Sequence, residues 1–89
     1  MTAIRATKDF AEGLKGITSL KVERDLRKTA EALGRFPELG SENVPNSIKQ
    51  LYGNNIRKIN VGPFLLVYHY SKEEDAISLY GLIHNRMAR

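Results

Sequence analysis

The sequence of 89 residues contains no cysteine. That excludes disulfides, thiolate metal sites and a cysteine nucleophile together. Histidine is nearly as scarce, with only His69 and His84. Two imidazoles make no zinc site without carboxylate help, and these two are not at the i, i+4 spacing of a helical metal face; no metal and no cofactor is expected. There is no apolar run long enough to cross a bilayer and no basic-then-apolar leader at the start. The default expectation is therefore a cytoplasmic protein with no membrane partner. Internal repeats, low-complexity tracts and interdomain linkers are also absent, and this length leaves room for one core, so residues 1–89 are expected to form one domain.

What is present is an excess of positive charge. Fourteen Lys and Arg stand against ten Asp and Glu, a formal net charge of +4. Such a balance favours anionic partners, either nucleic acid or an acidic polypeptide.

The hydrophobic pattern divides the chain into a helical half and a strand half. Thr2 to Ala6 is short and holds small and β-branched residues, which predicts an edge strand. Thr7 can accept a backbone N–H and open a helix, with Asp9 in its first turn and Phe10, Leu14 and Ile17 on one face. Gly13 and Gly16 should keep this helix short. After Thr18 and Ser19, Val22, Leu26, Ala30, Leu33 and Phe36 recur every three or four residues among charged neighbours, the pattern of an amphipathic helix. Gly34 and Pro37 end it, and the short connection makes the pair an antiparallel hairpin.

Residues 37–46 carry two prolines and a glycine without a period, a loop crossing from helices to sheet and the expected mobile segment. Ser47 to Tyr52 fits a helical turn or the lead-in to a strand. From Ile56 the period becomes two. Segments 56–61, 64–70 and 76–83 predict an antiparallel meander, with Gly62-Pro63 and Ser71 to Asp75 as its turns. Strict alternation would put Ile77, Leu79 and Ile83 on one face of the last strand and Tyr80, Leu82 and His84 on the other. The expected fold is α+β, an N-terminal edge strand and helical hairpin packed on a small antiparallel sheet.

Two stretches carry a resemblance. Ile56-Arg57-Lys58-Ile59-Asn60-Val61-Gly62-Pro63-Phe64-Leu65-Leu66-Val67-Tyr68 is a basic strand that runs through a Gly-aromatic turn into an apolar strand closing on Tyr. Leu82-Ile83-His84-Asn85-Arg86-Met87 is a terminal strand with a His-x-Arg-Met ending. With the order of elements, these resemble the RelE/ParE superfamily of bacterial toxins. The resemblance implies the toxin of a type II toxin–antitoxin, or plasmid-stabilisation, module that inhibits growth when free of its cognate antitoxin; operator DNA would be bound through the antitoxin. RelE-like members cleave messenger RNA on the ribosome with a cluster of basic residues; ParE-like members lack the cluster and poison DNA gyrase. Leu65 stands where RNA-cleaving relatives commonly place an Arg, and the His84-Asn85-Arg86-Met87 ending is more ParE-like. Gyrase poisoning is the favoured expectation; an mRNA endoribonuclease or a non-toxic basic nucleic-acid-binding module are the alternatives.

If the chain were a nuclease, His84 or Tyr68 would move a proton, and Arg57, Lys58 and Arg86 would stabilise charge on phosphate. His84 is equally a strand-end histidine packed beside Tyr80 or Leu82, and His69, between Tyr68 and Tyr70, is a structural residue. Arg57 and Lys58 point to opposite faces. Arg57 shares the core side with Ile59 and Val61, which puts its guanidinium at the rim, suited to capturing phosphate or carboxylate. Lys21, Arg24, Arg27, Lys28 and Arg35 make the second helix basic on its exposed side, with Glu23 and Arg27 as a local pair. For the antitoxin or target, Arg57, Arg86 and Arg89 are the expected charged contacts, with Leu14, Leu33 and the aromatic residues of the sheet lining an apolar groove.

Overall fold

The structure is a computed structural model that describes residues 2–85. The chain runs β1 (Ala3–Ala6), α1 (Lys8–Leu14), α2 (Leu20–Arg35), α3 (Asn46–Tyr52), β2 (Arg57–Val61), β3 (Phe64–Ser71) and β4 (Ala76–His84). Both helices of the hairpin begin on a hydroxyl, for the first of them the expected Thr7. Thr7 accepts the Phe10 N–H and Ser19 accepts the Val22 N–H, each satisfying one donor that a helix start leaves open. The segment at 46–52, open to two interpretations from its sequence, is helical and starts after Pro45 without a side-chain cap. None of the described helices is long and apolar enough to cross a membrane.

The sheet has the order β1-β4-β3-β2. β2, β3 and β4 form the expected antiparallel meander, and β1 is an edge strand. The sheet is mixed rather than wholly antiparallel, because β1 runs parallel to β4. The cause lies at its first residues. The Thr2 hydroxyl donates to the Asp75 carboxylate at 2.7 Å and the Ala3 N–H to the Asp75 carbonyl at 3.1 Å, so β1 starts beside the start of β4.

Each face of the sheet is covered by a different helical layer. On one side, α1 and α2 bury Phe10, Val22, Leu26 and Leu33 against Val61, Leu66, Tyr68, Ile77 and Leu79, with Ile59 packed at the margin. On the other, α3 and the loop before it bury Val44 and Ile48 against Ile56, Leu65 and Val67, with Tyr52, Tyr80 and Ile83 around them. Phe36 does not join the buried stripe of α2; it is 64% exposed, since it is the C-cap residue at φ −130° and ψ 78°, and its side chain leaves the helical face.

Alternation along β4 breaks in the middle. Val67 pairs with Gly81 but Tyr68 pairs with Leu79, so β4 carries one extra residue, a β-bulge. Ile77 and Leu79 face the helical hairpin, yet Leu82 then does so as well, while Tyr80 and Ile83 face α3. Ile83 is thus on the opposite face from the one strict alternation gives. Gly81, beside the bulge, makes room for Tyr52: a Cβ there would meet the Tyr52 hydroxyl, whose ring stacks on Tyr80 at 5.7 Å. The Thr7 hydroxyl lies 2.9 Å from the Leu79 carbonyl and 3.1 Å from that of Tyr80, so the cap of α1 also fastens the bulge.

Candidate functional site

The loop that leads from α2 toward α3 is fastened to the sheet, and Arg57 and Tyr68 do most of the fastening. The two residues are register partners on β2 and β3. The Tyr68 hydroxyl accepts the Gly40 N–H at 2.8 Å and donates to the Pro37 carbonyl at 2.9 Å. The Arg57 guanidinium donates to the carbonyls of Gly40 (2.8 Å) and Glu38 (3.2 Å) and to the Glu42 carboxylate (2.8 Å). Ser41 and Lys58 add a two-way backbone bridge, at 3.0 and 2.9 Å. Gly40 is required at the centre of this arrangement: a Cβ would lie 2.7 Å from the Tyr68 ring and hydroxyl and 2.9 Å from the Lys58 carbonyl. The segment expected to be mobile therefore carries at least six hydrogen bonds to β2 and β3.

Arg57 does sit at the rim, with its side chain 21% exposed, and it captures carboxylate as its position suggested, but the carboxylate belongs to the same chain. Glu38 lies between Arg57, at 3.9 Å, and Lys72, at 3.4 Å. Beside them opens a polar cleft of about 560 Å³ that also includes Lys49, Asn54, Asn55, His69 and Tyr70. His69 places Nδ1 2.7 Å from the Asn55 carbonyl, so this nitrogen carries the proton, and its ring stacks on Tyr80. That is a structural histidine.

The candidates for acid–base and phosphate chemistry are not brought together among the described residues. Tyr68 has 0% exposure, and both its hydrogen-bonding directions are taken. Burial pushes its phenol above the ordinary value, partly offset by the Gly40 N–H and the Arg57 charge and reinforced by Glu38. His84 pairs with Phe64 and meets its ring edge-on at 5.5 Å. Phe64 and Tyr68 are four residues apart on β3, so His84 lies on the order of 13 Å along the sheet from the Arg57–Tyr68 pair. Lys58 has the parity of Ile56 and faces α3. Arg86 and Arg89 lie outside the described residues.

A second feature lies between α1 and α2. Phe10, Leu14, Leu26, Ala30, Leu66 and Leu79 line an apolar crevice of about 280 Å³, with the Glu23–Arg27 pair (3.0 Å) at its lip. Leu14 belongs to it and is exposed. Leu33 does not, because its side chain is at 0% exposure inside the core, where Val22, Leu26 and the sheet close over it. The aromatic residue in the crevice is Phe10 of α1; Tyr52 and Tyr80 stack under α3 on the far side of the sheet. Phe10 was visible in the sequence as an apolar position of α1, but its neighbours depend on how the hairpin lies on the sheet.

Comparison with known proteins agrees with this architecture. Residues 4–89 match the family model described as the ParE toxin of the type II toxin–antitoxin system parDE. Among solved structures, a chain of the intact E. coli RelBE toxin–antitoxin complex superposes with a TM-score of 0.71 at 12% identity, covering 94% of this chain and 96% of that one. A metal-bound toxin from Helicobacter pylori superposes with a TM-score of 0.68 at 25% identity, covering 97% of both chains. No group of three or more His, Cys, Asp or Glu among the described residues of the present chain is placed to hold a metal ion. No curated protein matches the sequence.

Proposed function

The chain belongs to the ParE toxin family of type II toxin–antitoxin systems, and from that premise we propose that it acts as one toxin domain that arrests growth by binding DNA gyrase, and not by cutting RNA. The observation that carries this reading is the dispersal of the nuclease candidates among the described residues. Tyr68 is sealed and hydrogen-bonded, Arg57 is occupied by its own loop, Lys58 faces away, and His84 is at the other end of the sheet. General acid–base catalysis needs its groups within hydrogen-bond reach of one reacting centre. Leu65, where RNA-cleaving relatives commonly place an Arg, is buried under α3.

The cognate antitoxin is proposed to lay an amphipathic helix into the crevice at Phe10, Leu14 and Leu26 and to use the open edge of β1 for a strand. Arg86 and Arg89 remain the proposed charged contacts; Arg57 is less available, since a partner would have to displace Glu42. The test is induction of the chain in bacteria without an antitoxin. The expected result is a replication block with an SOS response while messenger RNA stays intact; rapid cleavage of messenger RNA in the ribosomal A site would establish the RelE-like alternative instead.

A further inference from the structure

α2 presents an unusual outer face. Lys21, Arg24, Lys28 and Arg35 are all exposed. At the α-helical pitch they fall within a sector of about 60°, roughly opposite Val22, Leu26 and Leu33, and they span about 21 Å. Among the described residues, none of the four is held in an ion pair or a side-chain hydrogen bond. Of the acids of the helix, Glu23 is engaged with Arg27 at 3.0 Å, while Asp25 and Glu31 flank the stripe without forming an ion pair with it.

We propose that this outer stripe of α2 is a contact surface for the phosphate backbone of duplex DNA. A protein partner would need apolar or aromatic anchors at the centre of its footprint, whereas the exposed apolar residues here, Leu20 and Phe36, stand only at the two ends of the stripe. Single strands are held by several aromatic residues on which successive bases stack, and here there is one, Phe36, at the end of the stripe. Lys and Arg can also donate to the 2′-hydroxyl oxygens and phosphates of duplex RNA, so a direct comparison of the two duplexes separates them. A row of exposed cations along one helix suits phosphates, which need charge and give no sequence information. The stripe also faces away from the apolar crevice, so both surfaces can be occupied at once. The proposal does not depend on which cellular target the toxin poisons.

The test is binding of the purified chain to a labelled DNA duplex of about 20 base pairs, followed by fluorescence anisotropy between about 50 and 200 mM salt. With four phosphates neutralised, log Kd is expected to change with log salt with a slope of about 3.6. Replacing Lys21, Arg24, Lys28 and Arg35 together by Gln should weaken binding at least tenfold and flatten the slope. Replacing Lys8, Lys15, Lys49 and Lys72 by Gln removes the same charge elsewhere and should change Kd less than threefold. Glu31→Gln, a single exposed change, should tighten binding and so tests the stripe without relying on loss. Equal losses in the two quadruple variants, absence of wild-type binding at the lowest salt, equal or tighter binding of an RNA duplex, or competition by polyglutamate as effective as by DNA would each overturn the proposal.

Discussion

Arg57 and the cations of α2 belong to the same small basic protein, yet their charges have opposite fates. Arg57 emerges beside a loop whose carbonyls and carboxylates are within reach, and it is consumed in holding that loop. Lys21, Arg24, Lys28 and Arg35 emerge from a helix whose interior carbonyls are already bonded along the helix, and among the described residues no acid forms an ion pair with them. Net charge therefore says little about where a partner binds. What matters is which cations the fold has already satisfied.

The largest expected effect removes the floor on which both regions rest. Leu66 is fully buried between the sheet and the hairpin, so Leu66→Ala should cost about 2–5 kcal/mol and lower Tm by roughly 10 °C or more, measured by thermal unfolding. A shift of under a degree would place Leu66 outside the core.

Tyr68→Phe sharpens the comparison at the loop. It strands the Gly40 N–H and the Pro37 carbonyl and should cost about 1–3 kcal/mol. Its pH dependence has a definite sign. The folded phenol titrates above its unfolded value of 10.0, so its contribution is complete below that pH and is lost as pH rises through the folded value. The stability gap between wild type and Tyr68→Phe should thus narrow above about pH 10 in unfolding experiments; a gap that widens there would contradict the buried, neutral hydroxyl.

Arg57→Ala should be milder, about 1 kcal/mol, because its bonds to the Glu38 carbonyl and the Glu42 carboxylate are exposed. Faster amide exchange at Gly40 and Ser41, the residues whose N–H groups bond to β2 and β3, is the accompanying signature. At the other extreme, Lys28→Ala on the outer stripe should stay within about 0.5 kcal/mol of wild type. A larger loss would mean that the stripe has a structural partner.

The same contrast explains how much could be read from the residues alone. The hairpin, its Thr7 cap and the meander follow from local periodicity and capping chemistry, which act within a few residues. The basic side of α2 was legible for the same reason. The loop fastening was not, since Tyr68 and Arg57 reach carbonyls 31 and 17 residues away and a loop without a period resembles a mobile one. Nor was the bulge: one extra residue on β4 inverts every later side chain, and the only local sign of it is Gly81. Leu33 illustrates a third kind of limit, because periodicity identifies the apolar face of a helix without separating its sealed centre from its accessible flank.

The central claim is that this toxin works by engaging gyrase with no RNA-cleaving centre. Its most direct test places the purified chain with gyrase and supercoiled plasmid in one reaction and with programmed ribosomes in another. The account predicts dose-dependent inhibition of supercoiling with trapped cleaved plasmid, and intact messenger RNA on the ribosomes. Cleaved messenger RNA with unaffected gyrase would contradict it.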